Sequence, residues 1–342
     1  MTTVGLDLAK NIFHLVACNK HGKVVSRKKL SRTKLRAYFA QLPPCLIGME
    51  ACSTSHYWAR ELIQLGHQAK LIPAQHVKAY LRGNKNDFND ALAIAEAVVR
   101  PEMRFVAVKN VEQQDQQTLN VHRQQLIRAR TAEANRIRAM LSEQGVVIAK
   151  GLAVLRRSLP ELMENQEGQF SELFITLLQQ AYLHLVQLDE HIARSDRELR
   201  AVTAQSPACQ QLQGIPGFGP ISASLFHSYV GDASGYRRGR DVSAALGLVP
   251  KQFGTGGKIV LLGISKRGNR NLRCLLVHGA RAVVSRVGDK QDALSLWIKR
   301  LIARVGIHKA TVAYANKMAR IGWAVLRHQC EYQPNHVPKL VQ

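Results

Sequence analysis

The sequence predicts an α/β plus α chain: a mixed α/β amino-terminal domain, then a longer and mainly helical remainder. Three observations carry this expectation. Up to Val99, short apolar runs and helical spacings alternate in the order three strands, helix, strand, helix, strand, helix. From about Val111 onward, apolar residues recur in steps of three and four over long stretches, the spacing of amphipathic helices. Lys+Arg 48 against Asp+Glu 24 gives a formal net charge of +24, which no acidic block offsets.

At 342 residues the chain is long enough for two or three domains with separate cores. The positive excess points to a polyanionic partner, nucleic acid before an anionic membrane. No run of about 18 or more apolar residues occurs, so no membrane partner is expected. The start, Met1-Thr-Thr-Val-Gly-Leu-Asp7, lacks a charged-then-apolar signal pattern. Six scattered cysteines without a Cys-x-x-Cys pair read as reduced apolar residues of a cytosolic protein.

In order, Thr3 to Leu8, Ile12 to Cys18 and Lys23 to Arg27 read as strands, the last two joined by the turn residues Asn19-Lys-His-Gly22. Leu35, Tyr38, Phe39 and Leu42 have helical spacing that Pro43-Pro44 ends. Cys45 to Glu50 is a fourth strand, Ser55 to Leu65 a helix, and Ala69 to Ile72 a fifth strand. Three strands able to pair antiparallel, leading into strand–helix units, predict a ribonuclease-H-like arrangement with the first and fourth strands as neighbours. The final helix, from about Asp87, would then pack across their ends.

The acids gain meaning from that order. Asp7 lies in an apolar strand, where a charge is costly unless paired or bound to a cation. Glu50 ends another such strand, at the edge where α/β sites collect. Asp87 and Asp90 are one helical turn apart on one face. Together the four can hold Mg²⁺ or Mn²⁺ and polarise a phosphodiester. The plainer alternative makes Asp87 the helix N-cap and Asp90 a first-turn acid near N3. Glu61 and Glu96 read as solvated-face residues.

Val111 to Leu141 reads as a polar helix with a thin stripe of Leu119, Leu126, Ile137 and Leu141, and with Arg123, Arg128, Arg130, Arg136 and Arg138 on its other faces. Gly145 to Gly168, containing Pro160, reads as a turn and connecting stretch. Phe174, Leu178, Ala181, Leu185, Leu188, Ile192, Ser195 and Leu199 form a heptad seam. Either an intramolecular helical hairpin or a dimerising coiled coil satisfies such a seam.

Gly214-Ile-Pro-Gly-Phe-Gly219 resembles the hairpin of helix-hairpin-helix modules, whose backbone amides face phosphate; Gly217 and Gly219 would supply them. A plain glycine-rich turn is the alternative. Arg237 and Arg238 follow, and then a second glycine-rich stretch, Lys251-Gln-Phe-Gly-Thr-Gly-Gly-Lys258, and Gly263-Ile-Ser-Lys-Arg-Gly268. Thr255 or Ser265 can contact or attack phosphate, with Lys251, Lys258, Lys266 and Arg267 beside them; the alternative is a basic hairpin that only grips a backbone. The Walker spacing is absent, so nucleotide hydrolysis has little support. Asn271 to Arg327 is helical and basic, with Arg273 and Arg281 as candidate backbone contacts and His278 read as a packed helix residue. The tail after Glu331 is expected to be disordered.

Taken together, Gly5-Leu-Asp-Leu-Ala-Lys10, Gly48-Met-Glu-Ala51, Asn84-Lys-Asn-Asp-Phe-Asn-Asp-Ala91, Gly214 to Gly219, Ala245-Leu-Gly-Leu-Val-Pro250 and Gly263 to Gly268 resemble, in order, the motifs of DEDD transposases of bacterial insertion sequences, the bridge-RNA-guided recombinases. The resemblance implies a RuvC-like catalytic domain (1–108), a coiled-coil connection (109–204), a transposase domain (205–330) and a short tail (331–342). It implies that Asp7, Glu50, Asp87 and Asp90 bind the metal and that a hydroxyl of the transposase domain attacks DNA covalently. That hydroxyl falls five residues after the Leu-Gly-Leu-x-Pro segment, where the family usually has Ser and this chain has Thr255; Ser265 is the reserve. Cys52-Ser53-Thr54 also departs from the family's glycine-containing turn. Donor and target DNA, a structured guide RNA contacted by the basic helices, and dimers pairing into tetramers are the implied partners. The implied location is the bacterial cytoplasm, at the nucleoid. A junction-resolving nuclease using activated water, and a non-catalytic nucleic-acid-binding protein, are the rival readings.

Overall fold

A computed structural model describes residues 3–81, 83–84, 86–164 and 170–334. Two compact units emerge, each drawn from several segments. One comprises residues 1–114, 230–268 and 319–329, and the other residues 115–229, 269–318 and 330–342. They interleave stretches that the sequence keeps consecutive.

The first unit is built on β1 (Thr3–Asp7), β2 (Ile12–Cys18), β3 (Val24–Ser31), α1 (Arg32–Ala40), β4 (Leu46–Glu50), α2 (Ser55–Gln64), β5 (Gln68–Ile72), α3 (Ala74–Val77), a 3-10 turn (Lys78–Tyr80) and α4 (Asp87–Val98). The sheet order is β3-β2-β1-β4-β5. The first three strands pair antiparallel, while β1–β4 and β4–β5 pair parallel. The first and fourth strands are therefore neighbours, as the element order predicts. β3 is an outer strand, and Arg27, Lys28 and Lys29 leave it too charged to template further pairing. The core holds Leu6, Phe13, Leu15, Phe39, Ile47, Met49, Leu62 and Leu71, all at or near zero exposure.

Two glycines set the height of α4 above this sheet. A Cβ built on Gly5 would lie 1.9 Å from the carbonyl oxygen of Ala91, and one on Gly48 would lie 2.8 Å from Cβ of Val98. With Ala91 and Ala95 buried on the facing side, α4 descends onto β1 and β4 at backbone contact. Its first turn is thereby brought to the ends of both strands.

The long helix α5 (Val111–Glu143) leads on to α6 (Leu152–Glu164), α7 (Glu172–Gln205), α8 (Pro207–Gln213) and α9 (Pro220–Val230). The seam expected on α7 is buried at Leu178, Ala181, Leu185, Leu188, Ile192, Ser195 and Leu199, and Phe174 is half-buried beside it. The connecting stretch differs from expectation, because it contains a helix with Pro160 inside it. Leu155 and Leu159 of α6 share one apolar cluster with Ile137, Leu141, Leu178 and Leu185. That burial outweighs the roughly 3 kcal/mol penalty of an interior helical proline. The stripe expected on early α5 also differs. Leu119 and Leu126 are only half-buried, and Gln116 and Asn120 face inward. The Asn120 amide donates to Ser224 Oγ at 2.9 Å, so a polar face of α9 takes the place of leucine packing.

Next come α10 (Gly239–Ala245), the hairpin β6 (Pro250–Thr255) and β7 (Lys258–Ile264), then α11 (Arg270–Val284), α12 (Ala293–Val305) and α13 (Ile307–His328). Most of the expected tail, from residue 335 on, lies outside the described residues. Among the described residues no helix is long and apolar enough to cross a membrane.

Candidate active site

Asp7 closes β1, and His14 stands opposite it in the antiparallel register with β2. Register partners project from the same face, so the imidazole and the carboxyl share one side of the sheet. Glu50 closes β4 one position past the Leu6–Met49 pair, level with Asp7. Asp87 and Asp90 occupy the first turn of α4. Asn86, not Asp87, is the N-cap: its side chain accepts from the Phe88 amide at 2.9 Å. The capping alternative fails for Asp87, whose carboxylate is 61% exposed and faces the sheet edge near His14.

The four carboxyls feel one another. Burial first, then the charges of Asp90, Asp87 and Glu50, push the Asp7 pKa up from 3.8 to about 6. Burial, then Asp90, also raises Glu50. The tightest group is a trio, since the donor atoms of Asp7, His14 and Asp87 all lie within 4.8 Å of one another. His14 Nδ1 is 3.4 Å from Asp87 Oδ2 but makes no hydrogen bond. Its side chain is 11% exposed and meets Phe88 edge-on, with centroids 4.8 Å apart. Carboxylates crowded against their own repulsion, beside a buried imidazole nitrogen that makes no hydrogen bond, suit a divalent cation. Glu50 and Asp90 act on this trio through charge.

His14 was not foreseen. A histidine inside Ile-Phe-His-Leu-Val-Ala-Cys has the look of a core residue. The available signal was its alternation onto the Asp7 face once β1 and β2 are paired. The two helix acids read as solvated are not so placed: Glu61 pairs with Arg36 at 2.9 Å and Glu96 is half-buried.

The two candidate hydroxyls differ in access. Thr255 pairs with Lys258 across the mouth of the β6–β7 hairpin and is exposed. Gly256 and Gly257 between them have φ 55° and 78°, the double positive φ of a type I′ turn. Ser265 Oγ is buried and makes no hydrogen bond, and its backbone amide is tied to the Val249 carbonyl at 2.8 Å. Lys251, Lys258, Lys266, Arg267, Arg237 and Arg238 are all exposed.

The helix-hairpin-helix-like residues make close contacts at two points. Gly217 has φ +94° and presses on α11, where a Cβ on Gly279 would come within 2.0 Å of the Gly217 oxygen. The Gly219 amide donates to Ser222 Oγ at 2.8 Å, leaving it engaged within its own turn. On α11, Arg273 is only 8% exposed whereas Arg281 is exposed, and His278 is exposed where a packed residue was expected. On α5, Arg123 and Arg130 hold Asp196 and Asp189 of α7, Arg136 holds Glu133, and Arg138 donates to the Gly151 carbonyl.

A strongly basic chain with clustered acids at the edge of an α/β sheet has the make-up of a protein that processes nucleic acid. Residues 4–145 match the transposase family of the DEDD, IS110 type, and residues 209–295 match the transposase family IS116/IS110/IS902. A probable family 20 transposase of Pseudomonas aeruginosa is 44% identical over 98% of this chain and 99% of its own. The transposase for insertion sequence element IS1111A of Coxiella burnetii is 43% identical over 96% of this chain and 91% of its own. That for IS1328 of Yersinia enterocolitica is 41% identical, over 95% and 96%. The chain belongs to the IS110 family of insertion-sequence transposases.

Proposed function

We infer that this transposase cuts and rejoins DNA through a covalent bond to Thr255, guided by a structured RNA from its own element. The observation that carries the reading is the crowding of Asp7 by Asp90, Asp87 and Glu50 in a chain of net charge +24. In a basic protein, four acids held together against mutual repulsion call for a cation. Mg²⁺ or Mn²⁺, when bound, neutralises them and polarises a phosphodiester.

The chain's own residues supply the rest. The type I′ turn holds the Thr255 hydroxyl in solvent, and Lys251 and Lys258 draw a DNA backbone toward it. Thr255 Oγ1 forms a bond to phosphorus as the bond to the leaving strand's oxygen breaks, and the hydroxyl proton ends on that oxygen. One ester replaces another, so the bond energy is retained for rejoining. When the incoming strand's hydroxyl attacks, Thr255 is released. The buried Ser265 hydroxyl favours Thr255 over its reserve. Arg281 and the exposed Arg237 and Arg238 suit backbone contacts with DNA or RNA, whose sequence the guide would read by pairing. The RuvC-like, coiled-coil and transposase segmentation, the dimer and tetramer, and the place at the bacterial nucleoid remain part of this reading through the family resemblance.

The test is covalent trapping on a denaturing gel with protein, Mg²⁺, guide RNA and nicked DNA. An adduct is expected with the unsubstituted chain, Thr255→Ser and Ser265→Ala, and none with Thr255→Ala or Asp90→Ala. Cleavage without an adduct in any lane would replace this reading with hydrolysis by activated water.

A further inference from the structure

We propose that His14 is a nitrogen ligand of the cation held by Asp7 and Asp87, and that it tips the centre from Mg²⁺ toward first-row transition ions such as Mn²⁺. The proposal rests on the metal reading above and deepens it. Three observations lead to it. His14 faces Asp7 across the β1–β2 ladder, which fixes its ring on the side of the sheet that carries the acids. Its Nδ1 is buried, lies 3.4 Å from Asp87 Oδ2 and makes no hydrogen bond. The three donor atoms lie within 4.8 Å of one another. Two ligands bound to one ion at about 2.1 Å lie about 3 Å apart when adjacent and about 4.2 Å when opposite, so the trio must close by roughly 0.6 Å or more when the ion binds.

A buried ring nitrogen without a hydrogen bond is costly, and a bound cation would satisfy it. Phe88 packs edge-on against the ring, with centroids 4.8 Å apart, on the same side as the acids of its own helix. Imidazole is a poor donor for Mg²⁺, which prefers oxygen in a strict octahedron. It binds transition ions in the order Mn²⁺ < Fe²⁺ < Co²⁺. A centre built from four carboxylates alone would follow the same order with a weaker preference over Mg²⁺.

Pulsed electron paramagnetic resonance of the full chain loaded with Mn²⁺ reads the ligand directly. The expected result is a ¹⁴N coupling on the Mn²⁺ signal, replaced by the ¹⁵N pattern in unsubstituted protein grown on ¹⁵N-histidine. His14→Gln should remove the coupling and weaken Mn²⁺ binding at least about tenfold, since losing even an outer-shell partner costs about 10- to 100-fold. Mg²⁺ binding, followed by competition, should change far less. The isotope result needs no substitution, so a misfolded His14→Gln chain would not cloud it. A Mn²⁺ signal that requires Asp7 yet shows no nitrogen coupling would overturn the His14 assignment and leave the metal reading standing. Coupling that survives in folded His14→Gln would assign another of the 13 histidines and also overturn it. No bound Mn²⁺, or binding indifferent to Asp7→Asn, would overturn both.

Discussion

With its pKa held at about 6 by burial and by three neighbouring carboxylates, Asp7 keeps its proton in the fold where an unfolded chain has lost it. Its contribution to stability is therefore present below about pH 3.8 and is lost as pH rises through about 6. In metal-free protein near neutral pH the ionised carboxyl is a liability. A rise of that size corresponds to at most about 3 kcal/mol. Solvent screening of a partly exposed group reduces this to the order of 1 kcal/mol. Calorimetry should find that Asp7→Asn melts higher than the unsubstituted chain near neutral pH without metal, with the advantage fading below about pH 4. Added Mn²⁺ should stabilise the unsubstituted chain and leave Asp7→Asn unchanged. Asp7 was legible because a charge in an apolar strand demands a reason. His14 was not, because a histidine in such a strand satisfies the same pattern whether it packs in a core or binds an ion.

The seating of α4 belongs to the scale of elements. Gly5→Ala would drive a methyl into the Ala91 carbonyl, and α4 would have to rise from β1. The expected cost is about 1–3 kcal/mol, seen as a lower melting temperature. Mn²⁺ stabilisation should vanish as well, because Asp87 moves away from Asp7. An unchanged response to Mn²⁺ would show that the centre does not depend on this contact. Strand order, the α4 acids and the α7 seam could be read from the chain because each rests on a local period. The helix α6 could not, since Pro160 is a local breaker and the cluster that overrules it is assembled from α5 and α7. The close approach of Gly217 to Gly279, sixty-two residues away by the difference of their numbers, was hidden for a related reason.

For the molecule as a whole, a net charge of +24 predicts nucleic-acid binding that weakens steeply with salt. Which cations contribute is a tertiary matter that composition leaves open. Lys258 is exposed at the hairpin, whereas the Arg123 guanidinium is held by Asp196. Binding titrations across salt concentrations should therefore separate the two. Lys258→Gln should lower the slope of log affinity against log salt by about 0.9, while Arg123→Gln should leave the slope alone and reduce thermal stability. Equal slopes for both would mean that the ion pair opens on binding. The contact between Gly5 and Ala91 also bears on how such a gene decays. On that reading, one added methyl at position 5 is expected to unseat α4 with every acid still in place, so a copy in a genome could keep all its acidic letters and still lose the fold that gathers them.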